Sequence, residues 1–264
     1  GENYGAGLRI LDFINDSELS RITINNWVSD ETEGKIKDLI PQEAISPLTR
    51  LVLTNAIYFN ADWLKPFDNE STEDGEFHLI GSGDVTVPMM SQSESFAYVD
   101  GDGYQAIELP YVGDQMSMVI MLPDSGQFES FESNISATVV ENIISRLESC
   151  EVGLTMPKFE YDYKCSLADT LKAMGMPTAF SGDADFSGMT GNFDLFIDAV
   201  LHKAYVSVDE EGTEAAAATA VVMNLAAMPL ETIQMTVDRP FIFLIRDIDT
   251  GTILFIGRVM DPSA

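Results

Sequence analysis

The sequence predicts a mixed α+β fold in one domain spanning residues 1–264, with strands outnumbering helices. Hydrophobic residues make up 45% of the chain, enough for a substantial core. Short apolar runs bounded by glycine, aspartate and proline recur along it, whereas helical periodicity is confined to a few segments. No glycine- or proline-rich linker and no internal repeat divides it.

The elements follow in order. Asp16 or Ser17 is placed to cap a helix running to about residue 28, with Leu19, Ile22, Ile24 and Trp27 as its packing residues. Residues 50–59 alternate as a buried strand does, and Asp62-Trp63 follows at its end. Residues 85–122 read as short strands between glycine and aspartate turns, clearest at 105–109 and 116–122. A helix over about 137–147 precedes a strand from 152 to about 161. The next helix starts at Ser166 and ends near Gly175, with Leu167, Leu171 and Met174 spaced for one face. Residues 194–209 form a long strand, and residues 231–237, 240–246 and 252–259 supply three more.

Between these last strands lies a segment of unusual composition, residues 210–223, Glu-Glu-Gly-Thr-Glu-Ala-Ala-Ala-Ala-Thr-Ala-Val-Val-Met. Gly212 offers a pivot at low steric cost, and no proline interrupts the chain before Pro229. If extended, Thr213, Ala215, Ala217, Thr219, Val221 and Met223 share one face, which starts small and ends apolar. Glu214, Ala216, Ala218, Ala220 and Val222 share the other. The segment is therefore able to become a strand.

Composition excludes several classes of function. Forty-three acidic against fourteen basic side chains give a formal charge of −29, which repels phosphate backbones and anionic membranes, so nucleic acid and membrane are not expected partners. No apolar run reaches the roughly 18 residues of a membrane span. Cys150 and Cys165 flank a predicted strand; bridged Cα atoms sit about 4.4 to 6.8 Å apart, so no disulfide joins them unless the stretch folds back. The only histidines, His78 and His202, lie in no catalytic motif. Residues 180–188 lack both calcium-loop spacing and a Gly-x-Ser-x-Gly elbow, and read as a turn after a helix. No phosphate-cradling loop or paired-cysteine metal signature occurs. The expectation is a protein without catalytic site, metal or cofactor.

Glu210-Glu211-Gly212-Thr213-Glu214-Ala215-Ala216-Ala217 resembles the hinge of the serpins, the stretch that leads into their reactive-centre loop. Serpin-like signatures follow at Met235-Thr-Val-Asp-Arg-Pro-Phe-Ile-Phe-Leu-Ile245 and at Ile253-Leu-Phe-Ile-Gly-Arg-Val-Met-Asp-Pro262. Others precede, at Ile24-Asn-Asn-Trp27, Leu53-Thr-Asn-Ala-Ile-Tyr-Phe59, Val87-Pro-Met-Met90 and Leu201-His-Lys-Ala204. The resemblance implies mixed β-sheets packed with helices and an exposed loop over about 210–230. It implies not an enzyme but a suicide-substrate inhibitor: a serine endopeptidase cuts the loop, is caught as an acyl-enzyme, and is carried along as the loop enters the main sheet. It implies a hinge of Glu210, Glu211, Gly212, Thr213, Glu214, Ala215, Ala216, Ala217 and Ala218. It also implies a shutter region at Asn55 and His202, where the histidine hydrogen-bonds, and a breach region at Trp63, Lys158 and Glu210. A charge at inward position 213 would block entry, and Glu214 points outward. A Glu210–Lys158 pair on the surface would contribute only about 0 to 1 kcal/mol.

Family spacing from Gly212 puts the scissile bond at Ala226-Ala227, suited to an elastase-like pocket, with Leu225-Ala226, suited to chymotrypsin- or subtilisin-like enzymes, as the alternative. No lysine or arginine lies between Gly212 and Met235, which argues against trypsin-like targets. The alternative functions are a non-inhibitory serpin-like binding or chaperone module, and inhibition of a cysteine protease. By the same resemblance the protein is expected to be a secreted, extracellular monomer, and the start at Gly1 reads as a fragment lacking roughly the N-terminal third. Asn-x-Ser triplets begin at Asn15, Asn69 and Asn134.

Overall fold

The computed structural model describes residues 9–81, 83–213 and 232–263. Contacts divide the chain into two compact units, Gly1–Tyr58 with Asp162–Tyr205, and Phe59–Tyr161 with Val206–Ala264. The first half of the chain supplies α1 (Ser17–Glu31), β1 (Val52–Tyr58), β2 (Ala61–Asp62), β3 (Glu73–His78), β4 (Asp84–Gly101), β5 (Tyr104–Pro110) and β6 (Met116–Pro123). There follow α2 (Phe128–Asn134), α3 (Ala137–Ser145), β7 (Glu148–Pro157), β8 (Phe159–Ser166), α4 (Ala168–Ala173) and α5 (Ser187–Thr190). The remainder is β9 (Ala199–Val208), β10 (Gly212–Thr213), β11 (Ile233–Thr236), β12 (Phe241–Asp247) and β13 (Ile253–Val259).

In the unit built from Phe59–Tyr161 and Val206–Ala264, strands run in the order β11-β7-β4-β5-β6-β12-β13, with β3 paired to β4. Alternation along these strands sends Phe96, Leu109, Ile120 and Phe243 to one face, where they form the main core with Trp63 and Tyr111. The other set, Ala106, Val119 and Leu244, packs against Phe128 of α2 and Val140 and Ile143 of α3. Ser136 caps α3 by accepting from the Val139 N–H at 3.3 Å. In the other unit, β1 pairs in parallel with β9 from Val52↔Ala199 to Tyr58↔Tyr205, beside a core of Val28, Ile36, Leu39, Ile40 and Tyr205.

Several elements depart from the sequence reading. Helix α1 turns a polar face inward: Leu19 and Ile22 are exposed, while Arg21 and Asn25 are buried. Both donate to the Ile40 carbonyl at 2.9 Å, and the Ile40 N–H donates back to Asn25 Oδ1 at 2.8 Å. The segment after the helix has backbone groups to satisfy, and α1 supplies the partners. Ile24 and Trp27 do pack on that core, half-buried. Residues 84–101 are one long strand rather than short pieces, because β4 takes successive partners in β3, β7 and β5 and needs no turn where its composition turns polar. The strand expected over 152–161 is broken at Lys158, whose N–H donates to the Pro88 carbonyl, and divides into β7 and β8. Cys150 and Cys165 fall on these two strands and are free thiols. Helix α4 is shorter than expected and Met174 lies exposed beyond it. The long strand expected from 194 starts at Ala199.

Candidate functional site

The end of β9, β10 and β2 converge in the Phe59–Tyr161/Val206–Ala264 unit. Between β9 and β10 the chain reverses over Asp209-Glu210-Glu211-Gly212. Asp209 holds the turn: its Oδ1 accepts from the N–H groups of Glu211 at 2.9 Å and Gly212 at 3.2 Å, and its own N–H donates to the Gly212 carbonyl at 3.0 Å. Thr213 then pairs antiparallel with Val208 on one side and Ala61 on the other, and Gly212 pairs with Asp62. The first strand-forming residue of the hinge is thus already inside a sheet. Thr213 is fully buried, as its inward, uncharged character predicted.

Gly212 is required here for a reason other than a pivot. It is not among the positive-φ glycines; instead, a Cβ on it would lie 2.3 Å from the Ala61 carbonyl oxygen and 2.7 Å from the Asp62 Cα. The close approach of two backbones demands the missing side chain.

Trp63 is 2% exposed and belongs to the core, and it also serves the turn. Its Nε1–H donates to the Asp209 carbonyl at 3.0 Å, and its backbone N–H to the Glu211 carbonyl at 2.8 Å. Its ring stacks on Tyr111, with centroids 4.6 Å apart and planes within 8°. Tyr111 is fully buried, and its hydroxyl lies 2.7 Å from the Thr213 hydroxyl. Burial drives the phenol's pKa well above the usual tyrosine range, so it remains protonated. Nothing in the local sequence singles out Tyr111, which the fold brings in from the turn between β5 and β6.

Glu210 and Lys158 do meet, at 2.7 Å, but not as a surface pair: the Glu210 side chain is 5% exposed and that of Lys158 38%. Glu210 also accepts from the Thr72 hydroxyl at 2.7 Å, while its backbone carbonyl accepts from Phe67 N–H at 2.8 Å. Burial works against the charged carboxylate, yet the bonds from Lys158 and Thr72, a backbone bond and the Lys158 charge hold its pKa below the usual glutamate range. A carboxylate buried this deeply depends on its partners far more than a surface one does.

Asn55 and His202 are register partners across the parallel β1–β9 ladder, and both lie in the unit of Gly1–Tyr58 and Asp162–Tyr205. Asn55 is exposed and His202 half-buried. Contrary to expectation, the His202 Nδ1 is buried with no hydrogen-bond partner, and burial alone depresses its pKa. Among the described residues no donor or acceptor reaches that nitrogen.

The remaining hinge residues, Glu214, Ala215, Ala216, Ala217 and Ala218, and the bonds proposed for cleavage at Leu225, Ala226 and Ala227, lie outside the described residues. No group of three or more His, Cys, Asp or Glu side chains among the described residues is arranged to hold a metal ion, and no helix among them is long and apolar enough to cross a membrane.

A family model described as "Serpin (serine protease inhibitor)" matches residues 1–262. The chain is 45% identical over 264 residues to an uncharacterized serpin-like protein of Thermococcus kodakarensis, covering 99% of this chain and 61% of that protein. It is 40% identical over 272 residues to the human leukocyte elastase inhibitor, covering 99% of this chain and 71% of that one. Among solved structures it resembles uncleaved ovalbumin, with a TM-score of 0.87 and 28% identity, covering 99% of this chain and 67% of that one. A thyroxine-binding globulin complexed with thyroxine gives 0.86 and 32%, covering 98% and 68%. The chain thus spans about three-fifths to seven-tenths of the length of these proteins.

Proposed function

The chain belongs to the serpin family, and from that premise we propose that the protein inhibits serine endopeptidases as a suicide substrate. The observation that carries the reading is Thr213, hydrogen-bonded as a strand residue between β9 and β2 before any cleavage. The same strand β9 is paired over Ala199–Tyr205 directly with β1, in parallel. A loop that continues past Thr213 runs antiparallel to β9. Its entry there replaces one parallel ladder of seven registered pairs with two antiparallel ones. Antiparallel pairing is the more stable per residue, and the number of ladder bonds rises, so insertion runs downhill once cleavage frees one end.

The chemistry belongs to the protease. Its serine oxygen attacks the carbonyl carbon of the residue before the cut, the amine of the next residue leaves with a proton, and an ester joins enzyme to inhibitor. Trapping is a race in which insertion must outrun hydrolysis of that ester. The small inward series Ala215, Ala217 and Thr219 suits rapid entry. We assign cleavage to Ala226-Ala227 and an elastase-like target, with Leu225-Ala226 and a chymotrypsin- or subtilisin-like target as the alternative, and action outside the cell by a monomer.

Incubation of the full-length protein with elastase- and chymotrypsin-like enzymes, followed by denaturing gels and mass spectrometry of the released peptide, tests this. A denaturant-resistant complex with cleavage after Ala226 is expected. A complex cut after Leu225 moves the target class, and rapid cleavage with no complex overturns the inhibitory reading in favour of a non-inhibitory binding module.

A further inference from the structure

We propose that Tyr111 is a positioning residue for loop entry: its hydroxyl and that of Thr213 form a latch that keeps the hinge seated in the sheet before the loop is cut. The proposal rests on the loop-insertion reading above for its functional consequence, and on the geometry alone for the latch itself.

The Tyr111 ring has little freedom. Trp63 stacks on it at 4.6 Å, Phe59 meets it edge-on at 5.0 Å, and its backbone N–H donates to the Met116 carbonyl at 3.0 Å. The hydroxyl is therefore delivered to a fixed point, and at that point stands Thr213 Oγ1, 2.7 Å away, with both residues fully buried. No other side-chain bond is made by either hydroxyl among the described residues. If Thr213 withdraws from between β9 and β2, the phenol is left in an apolar, water-excluded place with an unsatisfied O–H, a state costlier than the bond is strong. The latch thus acts mainly as a penalty on hinge withdrawal. Its consequence is kinetic: a seated hinge has its register with Val208 and Ala61 set before the protease cuts, so zipping starts without a search step.

The same logic makes the side chain at 213 part of a matched pair. A hydroxyl on one partner without the other is the unfavourable combination, whereas two apolar groups of the same shape are nearly neutral.

The test is a double-mutant cycle of Tyr111→Phe and Thr213→Val in the full-length protein, read by hydrogen exchange at the Gly212 and Thr213 amides and by the fraction of inhibitor that ends in complex rather than cleaved. Each single substitution is expected to speed exchange at these amides by about five- to tenfold, with β6 and β12 unchanged, and to shift product toward cleaved inhibitor. The double variant is expected to match Thr213→Val alone within about twofold in both readouts, far short of the product of the two single effects. Additive effects in the double variant, or single variants indistinguishable from the parent, overturn the latch. Should no protease be trapped by the parent, the functional reading fails, and the exchange arm still decides the latch on its own.

Discussion

Replacing Gly212 with alanine tests the hinge geometry with a single carbon atom. The added Cβ meets the Ala61 carbonyl oxygen at 2.3 Å and the Asp62 Cα at 2.7 Å, where ordinary contact begins at 3.4 Å. Both obstacles are backbone, so no rotamer relieves them, and β10 must move from β2 by about 1 Å. A shift of that size breaks the Gly212↔Asp62 and Thr213↔Ala61 pairing. Overpacking of this kind costs about 1 to 3 kcal/mol. Where the intact variant relieves the clash by unseating its hinge, which must be reseated for insertion, that energy slows loop entry by at most about 5- to 150-fold. Because the Trp63 indole donates to Asp209 in the adjoining turn, its fluorescence reports the displacement, and the yield of covalent complex reports its effect. The expected result is a perturbed emission, a lowered midpoint in urea and a shift from complex to cleaved product. A variant that keeps the parent's midpoint and complex yield refutes the close approach as a determinant of hinge position.

Further outcomes follow from the same geometry. Thr213→Glu places a charge beside the Tyr111 hydroxyl with no cationic partner among the residues that flank it, and denaturing gels should show cleavage without complex. Lys158→Met leaves the buried Glu210 carboxylate with Thr72 as its remaining side-chain partner and should cost about 1 to 2 kcal/mol at neutral pH, more than a surface pair is worth. Because the Glu210 pKa is held below its ordinary 4.5, that stabilisation is present above pH 4.5 and lost as pH falls through the folded value, so parent and variant should converge in acid. His202, depressed below 6.5 by burial, contributes stability above that pH that disappears on acidification, and His202→Gln should flatten the acid side of the stability profile in chemical denaturation. His78 has the opposite sign: its bond to Asp84 raises it, so its contribution is present below 6.5 and lost as pH rises through the folded value, and His78→Gln should flatten that limb.

The strands and the hinge were legible in sequence to different degrees. Residues 116–122 and 240–246 are near-continuous apolar runs bordered by turn residues, and they appear as β6 and β12 at close to the expected limits. The middle of β4, Ser91 to Ser95, is polar on both faces, and its pairing with β7 is what makes it strand. The inward face of α1 escapes the sequence pattern for a related reason: Arg21 and Asn25 are buried by their bonds to one distant carbonyl, which no periodicity of apolar residues records. At the site, the inward face of Thr213 and the meeting of Glu210 with Lys158 followed from motif and alternation. Tyr111, Thr72 and Asp209 did not, because each acts through a hydrogen bond whose partner the fold, not the local sequence, brings near. The same holds for the buried, unpaired nitrogen of His202, since whether a histidine finds a partner depends on the strands around it.

Entry of the loop between β1 and β9 is open to a direct test by a reversible staple across that ladder. Asn55 and His202 are register partners, and neighbouring strands lie about 4.8 Å apart, within the Cα separation a disulfide spans. In a full-length variant carrying Asn55→Cys and His202→Cys, with Cys150 and Cys165 changed to serine, the complex formed with a serine protease is measured before and after reduction. Cleavage without complex is expected while the staple is oxidised, with recovery of the denaturant-resistant complex once it is reduced. Equal trapping in both states, with the disulfide shown intact, would contradict insertion between these strands.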